Sequence, residues 1–175
     1  MRVRRPERVS TRVALSHGLI EVREHVLSTE QRIVTLTLRD WVVVAATDRQ
    51  GSFILVEQHR HGLDATTIEC AGGVIDAGEA PIDAARRELF EETGYEAGEL
   101  ERLGWVHPNP ALHGNRAFFF FARGATRTGS PQNTIEEETR VRLFSRTEVE
   151  KQLAESGITH SMSVLMLERS LRLLG

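Results

Sequence analysis

Two glutamates four residues apart, Glu88 and Glu92, are the first feature of this chain that could do chemistry. On a helix, that spacing stacks the two side chains one above the other. Like charges so placed cost roughly 0.2–0.5 kcal/mol per pair unless a cation lies between them. A hard divalent ion supplies the compensation. Magnesium prefers oxygen ligands and takes one or two protein carboxylates together with substrate phosphates. Arg87 and Glu91 repeat the same spacing, so the guanidinium can hold the Glu91 carboxylate in place. Ahead of them, Gly72, Gly73 and Gly78 allow a tight bend that brings backbone groups to an ion. Further on, Thr134, Ile135, Glu136, Glu137 and Glu138 form a second acidic run. Taken alone, either cluster is as readily a solvated acidic surface.

The elements that must position these residues can be read from periodicity and turn chemistry. Pro81 suits the first turn of a helix and Gly94 its stop, which predicts a helix from about Pro81 to Thr93. Ile82, Ala85 and Leu89 share one stripe of it and are expected to face the core. Ala84 and Ala85 are small and leave room beside the carboxylates. Ser145 to Glu148 fits a capping box opening a second helix that ends at Gly157. A third starts near Thr159 or Ser161 and turns Val164, Leu165, Leu167 and Leu171 inward. Residues 32–38 alternate like a strand, and residues 41–46 (WVVVAA) read as a strand buried on both faces. A turn at residues 48–51 joins it to a strand at 52–59. Residues 102–106, 117–122 and 140–144 are further strands, and His107, Pro108, Asn109 and Pro110 form a turn. The expected class is α/β of the α+β type, a mixed sheet covered by helices. Residues 1–46 are expected to form extra strands or an arm, and residues 47–175 the main domain.

Bulk properties narrow the partners. The 175 residues, 40% hydrophobic and 27% charged, suit a soluble globular fold. A net charge of -3 disfavours nucleic acid as the main partner. No apolar run approaches the roughly 18 residues a membrane helix needs. Cys70 is the single cysteine, so no internal disulfide can form, and a cytoplasmic compartment is the simplest expectation. The basic start lacks the apolar stretch of a signal peptide.

Residues 73–95, GVIDAGEAPIDAARRELFEETGY, resemble the Nudix box, Gly-x5-Glu-x7-Arg-Glu-U-x-Glu-Glu-x-Gly-U, where U is a bulky apolar residue. Gly73, Glu79, Arg87, Glu88, Leu89, Glu91, Glu92 and Gly94 fill it without a gap, and Tyr95 takes the last apolar place. The resemblance implies a mixed sheet between helices and hydrolysis of a nucleoside diphosphate linked to another group. It implies Mg2+, or Mn2+ in its place, ligated by Glu88 and Glu92 with help from Glu91 and the Ala71 carbonyl. Arg87 would orient a glutamate.

The flanks are similar to the ADP-ribose pyrophosphatase branch. Gln58 and Arg60 match its Gln-x-Arg, and Glu69 follows nine residues after the arginine. Cys70 stands where the pattern carries proline, and Ile68 where it carries an aromatic residue. By this likeness Arg60 and Glu69 are candidate substrate-binding residues, and the chain would act as a homodimer through residues 1–46; Arg116, in a loop beyond a glycine, is a further substrate-binding candidate. The catalytic base is expected outside the box, whose glutamates are committed to metal. Glu137 is favoured for it over Glu136. ADP-ribose, cleaved to AMP and ribose 5-phosphate, is the expected substrate. A nucleotide-sugar or dinucleotide diphosphatase is the alternative, and a nucleotide-sensing domain without catalysis a more distant one. Trp105 and Phe118 to Phe121 read as sheet core rather than base-stacking platforms. His61, His107 and His113 read as structural or solvated, and Cys70 as a packed residue.

Overall fold

The computed structural model describes residues 5–132 and 138–175. They divide into two compact units, residues 5–40 with 107–116, and residues 41–106 with 117–132 and 138–175. The first change from one unit to the other falls between Asp40 and Trp41.

The larger unit is built on a mixed sheet. Its strands are β4 (Trp41–Asp48), β5 (Phe53–Arg60), β6 (Ala65–Glu69), β7 (Ala71–Val74), β8 (Tyr95–Glu96), β9 (Leu100–Val106), β10 (Ala117–Arg127) and β11 (Thr139–Phe144). The backbone order is β11-β5-β4-β10-β8, with β6 on β5, β7 on β4 and β9 on β10. β4 and β10 run parallel, and the other pairs are antiparallel. The helices are α1 (Pro81–Thr93), α2 (Arg146–Ala154) and α3 (Ser161–Leu174).

Period-two alternation explains why residues 41–46 read as a continuous apolar run. Val42, Val44 and Ala46 face one core with Ala84, Ala85 and Leu89 of α1. Val43 and Ala45 face a second core with Met162, Met166 and Leu167 of α3 and Val149 of α2. β10 does the same, sending Phe118 and Phe120 one way and Phe119 and Phe121 the other. The sheet is therefore sandwiched between α1 and the α2–α3 pair. Each fully buried valine or phenylalanine contributes roughly 1.5–3 kcal/mol.

Two expectations about packing need correction. Ile82 lies in the first turn of α1 and stays 39% exposed; the buried stripe begins at Ala84 and Ala85 and continues through Glu88, Leu89, Glu92 and Thr93. Trp105 is 45% exposed rather than core. The cause is a bulge: Phe119 pairs with Gly104 and Phe120 with Arg102, so Leu103 is an extra residue. Gly104 takes a φ of 105°, and the break in alternation leaves Leu103 and Val106 against the core and Trp105 outside.

In the smaller unit, β1 (Arg8–His17), β2 (Ile20–Leu27) and β3 (Arg32–Thr37) form an antiparallel sheet in chain order. The turn after β9 joins it through an isolated bridge between Leu36 and His113. Among the described residues, the side chains buried in this unit are His25, Leu27 and Asn115. His25 spans from Thr11 to Thr35, 2.8 Å and 2.7 Å from their hydroxyls. Every residue of β1 is exposed, and Val9, Val13, Leu15, Leu19, Ile20 and Val34 present apolar side chains to solvent.

Candidate active site

α1 places three carboxylates and one guanidinium on or beside its buried stripe, and Glu79 of the loop before it adds a fourth carboxylate. Pro81 starts the helix, and Gly94 ends it in the left-handed region at φ 72°, its N–H donating to the Phe90 carbonyl. A side chain at Gly94 would strike the backbone of Gly129, so only glycine fits. Glu88 and Glu92 are buried on the face turned to β7. The Gly72 N–H donates to Glu92 Oε2 at 2.9 Å. A Cβ on Gly73 would overlap the Glu88 carboxylate, so the glycine provides the space that carboxylate occupies.

Arg87 is the centre of this group. Its Nε and Nη2 donate to the two oxygens of Glu79, each at 2.9 Å. Nη1 donates to Glu88 Oε1 at 2.8 Å and to Glu91 Oε2 at 3.1 Å, and Nη2 donates to the Val74 carbonyl at 3.1 Å. One planar fork thus joins the loop before α1, the end of β7 and two glutamates of the helix. The Arg87 hydrogen bonds hold the Glu79 carboxyl below its ordinary range, against the opposing effect of burial. In return the hydrogen bonds Arg87 donates to Glu79, and then to Glu88 and Glu91, raise its guanidinium further above its usual value.

A cleft of about 760 Å³ opens beside this group. Gly72, Gly73, Asp76, Arg87 and Glu88 line it at the α1 end, and Trp41, Leu63, Arg60, Glu69, His160 and Met162 contribute elsewhere. Glu69 is only 1% exposed and is held from three directions. Arg60 donates through Nε to Oε1 at 2.8 Å and through Nη2 to Oε2 at 2.7 Å. The Thr67 hydroxyl donates to Oε1 at 2.6 Å, and His160 Nδ1 lies 2.7 Å from Oε2. Burial pushes the Glu69 carboxyl up, but the hydrogen bonds from Arg60, His160 and Thr67 outweigh it and hold the group well below its usual range. Burial raises the neighbouring Cys70 thiol, so it is an inert packed group.

The model of the NUDIX domain matches residues 37–162. The chain belongs to the Nudix family. It is 38% identical over 80 residues to the ADP-ribose pyrophosphatase of Bacillus subtilis (strain 168), covering 46% of this chain and 43% of that protein. It is 27% identical over 125 residues to the ADP-ribose pyrophosphatase of Mycobacterium tuberculosis, covering 70% of this chain and 60% of that one. A methanol dehydrogenase activator of Bacillus methanolicus is 31% identical over 97 residues, 55% of this chain and 52% of the relative. The chain thus spans about half the length of the curated relatives it matches. A crystal structure of an ADP compounds hydrolase superposes with a TM-score of 0.81 at 20% identity, covering 99% of this chain and 96% of that one. That likeness shows the Nudix fold, a mixed sheet between helices.

Against this fold, the residues singled out from the Nudix sequence pattern fall into three places. Arg87, Glu88, Glu91, Glu92 and Ala71 gather at α1 and β7, where Ala71 is buried and pairs with Val44. Arg60 and Glu69 pair with each other in the cleft wall. Arg116 belongs to the smaller unit, where its Nη2 and Nε donate to Asp40 Oδ2 at 2.6 Å and 3.0 Å. Glu136 and Glu137 lie outside the described residues, and Glu138, beside them, is exposed. His107 and His113 both bond Asn115, and His61 is exposed with its ring edge-on to His59. Sequence reading missed His160, Thr67, Trp41 and Met162. His160 carried no spacing signal, because it meets Glu69 from 91 positions away.

A divalent ion fits the donor set at α1. Glu88 and Glu92 are hard oxygen donors on one helix face, and Gly73 leaves the space that the Glu88 carboxylate occupies. Among the described residues no group of three His, Cys, Asp or Glu side chains converges as a complete metal cage.

Proposed function

We propose that this chain hydrolyses a nucleoside diphosphate joined to a second group, with ADP-ribose as substrate and AMP and ribose 5-phosphate as products. The observation that carries this reading is the Arg87-centred carboxylate cluster opening into a nucleotide-sized cleft whose remaining wall mixes Trp41, Leu63 and Met162 with Arg60 and His160. Relatives named ADP-ribose pyrophosphatase support the choice of substrate.

Glu88 and Glu92, with Glu91 and the Ala71 carbonyl beside them, would hold Mg2+ or Mn2+. Such an ion supplies neutralisation of diphosphate charge and a lowered pKa for bound water. The chain's own residues do the rest. Arg87 fixes the direction of Glu88 and Glu91, and Gly73 leaves the space that the Glu88 carboxylate occupies. Water attacks one phosphorus, the anhydride P–O bond breaks, and the other phosphate leaves with the bonding pair. A glutamate of residues 134–138, Glu137 ahead of Glu136, accepts the water's proton. Arg60, Glu69 and Arg116 are proposed substrate-binding groups. The exposed apolar side chains of β1–β3 are proposed to be covered by a second copy in a homodimer, and the compartment to be the cytoplasm.

The deciding experiment is a panel of ADP-ribose, nucleotide sugars, dinucleoside polyphosphates and nucleoside triphosphates. It is read as phosphate released from monoester products by an added phosphatase, and for triphosphates as phosphate formed from the released pyrophosphate by an added pyrophosphatase. ADP-ribose should give the highest kcat/KM. Turnover of triphosphates with none of ADP-ribose would overturn the reading.

A further inference from the structure

We propose that His160 is a specificity-determining residue, presenting its Nε2 as a hydrogen-bond acceptor to a hydroxyl or amino donor on the organic part of the substrate, with Glu69 as the residue that positions it. The proposal rests on the diphosphatase reading above for the identity of the ligand.

Three observations carry it. First, His160 caps α3 by position, but its side chain makes no cap hydrogen bond, so helix capping does not explain the imidazole. Second, its Nδ1 is committed. It stands 2.7 Å from Glu69 Oε2 and 2.9 Å from Ser163 Oγ, and that hydroxyl already accepts a hydrogen bond from the Cys70 N–H at 2.9 Å. A ring nitrogen this close to an ionised, acceptor-only carboxylate must carry the hydrogen between them. The proton therefore sits on Nδ1, and in the neutral ring Nε2 is left with a lone pair. Third, His160 lines the cleft with its side chain 31% exposed, and no described residue hydrogen-bonds its Nε2.

Glu69 acts through its neighbours. Nearly fully buried and bound to Arg60 by two hydrogen bonds, it cannot rotate away without abandoning both partners. It thereby fixes the ring's direction and its tautomer. Trp41, Leu63 and Met162 add apolar wall to the cleft, which strengthens a directed polar contact by keeping water from competing for it.

The test separates the two ring nitrogens. In His160→Asn the short amide reaches the Nδ1 position, still bonds Glu69 and remains a good N-cap, but offers nothing at Nε2. In His160→Gln the longer amide carries an acceptor oxygen to about the Nε2 position. Both are measured in the full chain, by kcat and KM for ADP-ribose and by calorimetric titration with AMP. His160→Asn should weaken KM about 3- to 10-fold, the worth of one neutral hydrogen bond, with kcat within about twofold of wild type. His160→Gln should recover most of the loss. A penalty for both ligands places the donor on the nucleoside, and a penalty for ADP-ribose alone places it on the second sugar. Wild-type binding by His160→Asn overturns the proposal, as does equal weakening in both variants or a fall in kcat at unchanged KM. If the wild type does not hydrolyse ADP-ribose, the substrate reading fails by itself. The same comparison then runs on whichever panel member it does hydrolyse.

Discussion

Replacing Arg87 by lysine keeps the charge and removes the fork, so it isolates what the guanidinium geometry does. Arg87 makes five hydrogen bonds, four to oxygens of Glu79, Glu88 and Glu91 and one to the Val74 carbonyl. An ammonium has three donors radiating from one nitrogen and cannot span these groups. At least two charge-assisted bonds must be lost. In a dry site each is worth roughly 1.5–3 kcal/mol. The Arg87 side chain is 29% exposed and that of Glu91 39%, so solvent screening brings this down to about 1 kcal/mol each. The sum is about 2–3 kcal/mol, and for a chain of this length about 5–10 °C in Tm. Thermal melts in chelator measure the structural part, and kcat under saturating Mg2+ measures the effect of misdirected Glu88 and Glu91. Arg87→Ala should melt lower still and gain more from added Mg2+ than wild type, because three carboxylates lose their cation. An Arg87→Lys enzyme that melts within about 1 °C of wild type and keeps its turnover would refute the hub assignment.

The remaining predictions test the other parts of the site. Glu92→Gln keeps an acceptor for the Gly72 N–H, so Tm should change by less than about 2 °C while turnover is nearly lost; full activity in this variant, or in chelator, would remove the metal assignment. Single Gln substitutions at Glu136, Glu137 and Glu138 should split into one loss of about 10²–10⁴-fold in kcat and two mild effects, and three near-normal enzymes would move the base to a box glutamate such as Glu91. Glu69→Gln should lower Tm at neutral pH. The folded carboxyl is held below its unfolded value of about 4.3, so this stabilisation is present above that pH and fades as pH falls beneath it. The Tm gap between wild type and Glu69→Gln should therefore shrink in acid, and a constant gap down to about pH 3 would contradict the ion-pair account. Light scattering should give twice the 19.7 kDa chain mass, and a monomer at working concentration would refute pairing through β1–β3.

Elements made by local rules were legible. α1 has the bounds that Pro81 and Gly94 announce, and the Ser145–Glu148 capping box forms as its pattern requires. The long strands were legible from their apolar pattern, but the short ones made by distant partners were not. β6 and β7 are short, and Gly72 and Gly73 read as a bend because nothing local shows Val42 and Val43 pairing with them. A Cβ on Gly72 would overlap the Val42 carbonyl, so the glycine marks close strand packing rather than a turn. Trp105 was misplaced for a related reason. Alternation predicts its side only if the register is unbroken, and the bulge at Leu103 follows from the pairing of β9 with β10.

The two ends of the cleft make the same distinction in the site itself. At one end an arginine organises glutamates one, four and eight positions away, and a single helix and its leading loop set the geometry. That spacing survives translation into sequence, which is why the box was readable. At the other end a second arginine, Arg60, grips Glu69 across an antiparallel strand pair, and His160 closes on the same carboxylate from the start of α3. Nine positions separate the first pair and 91 the second, so only the sheet register and the packing of α3 bring them together. On the proposed reading, the first clamp works on the diphosphate and the second faces whatever is attached to it, so that chemistry shared by a family is held in short-range spacing and discrimination among substrates in tertiary contacts. Substitutions at His160 or Thr67 should accordingly change which diphosphate is cleaved before they change whether one is cleaved.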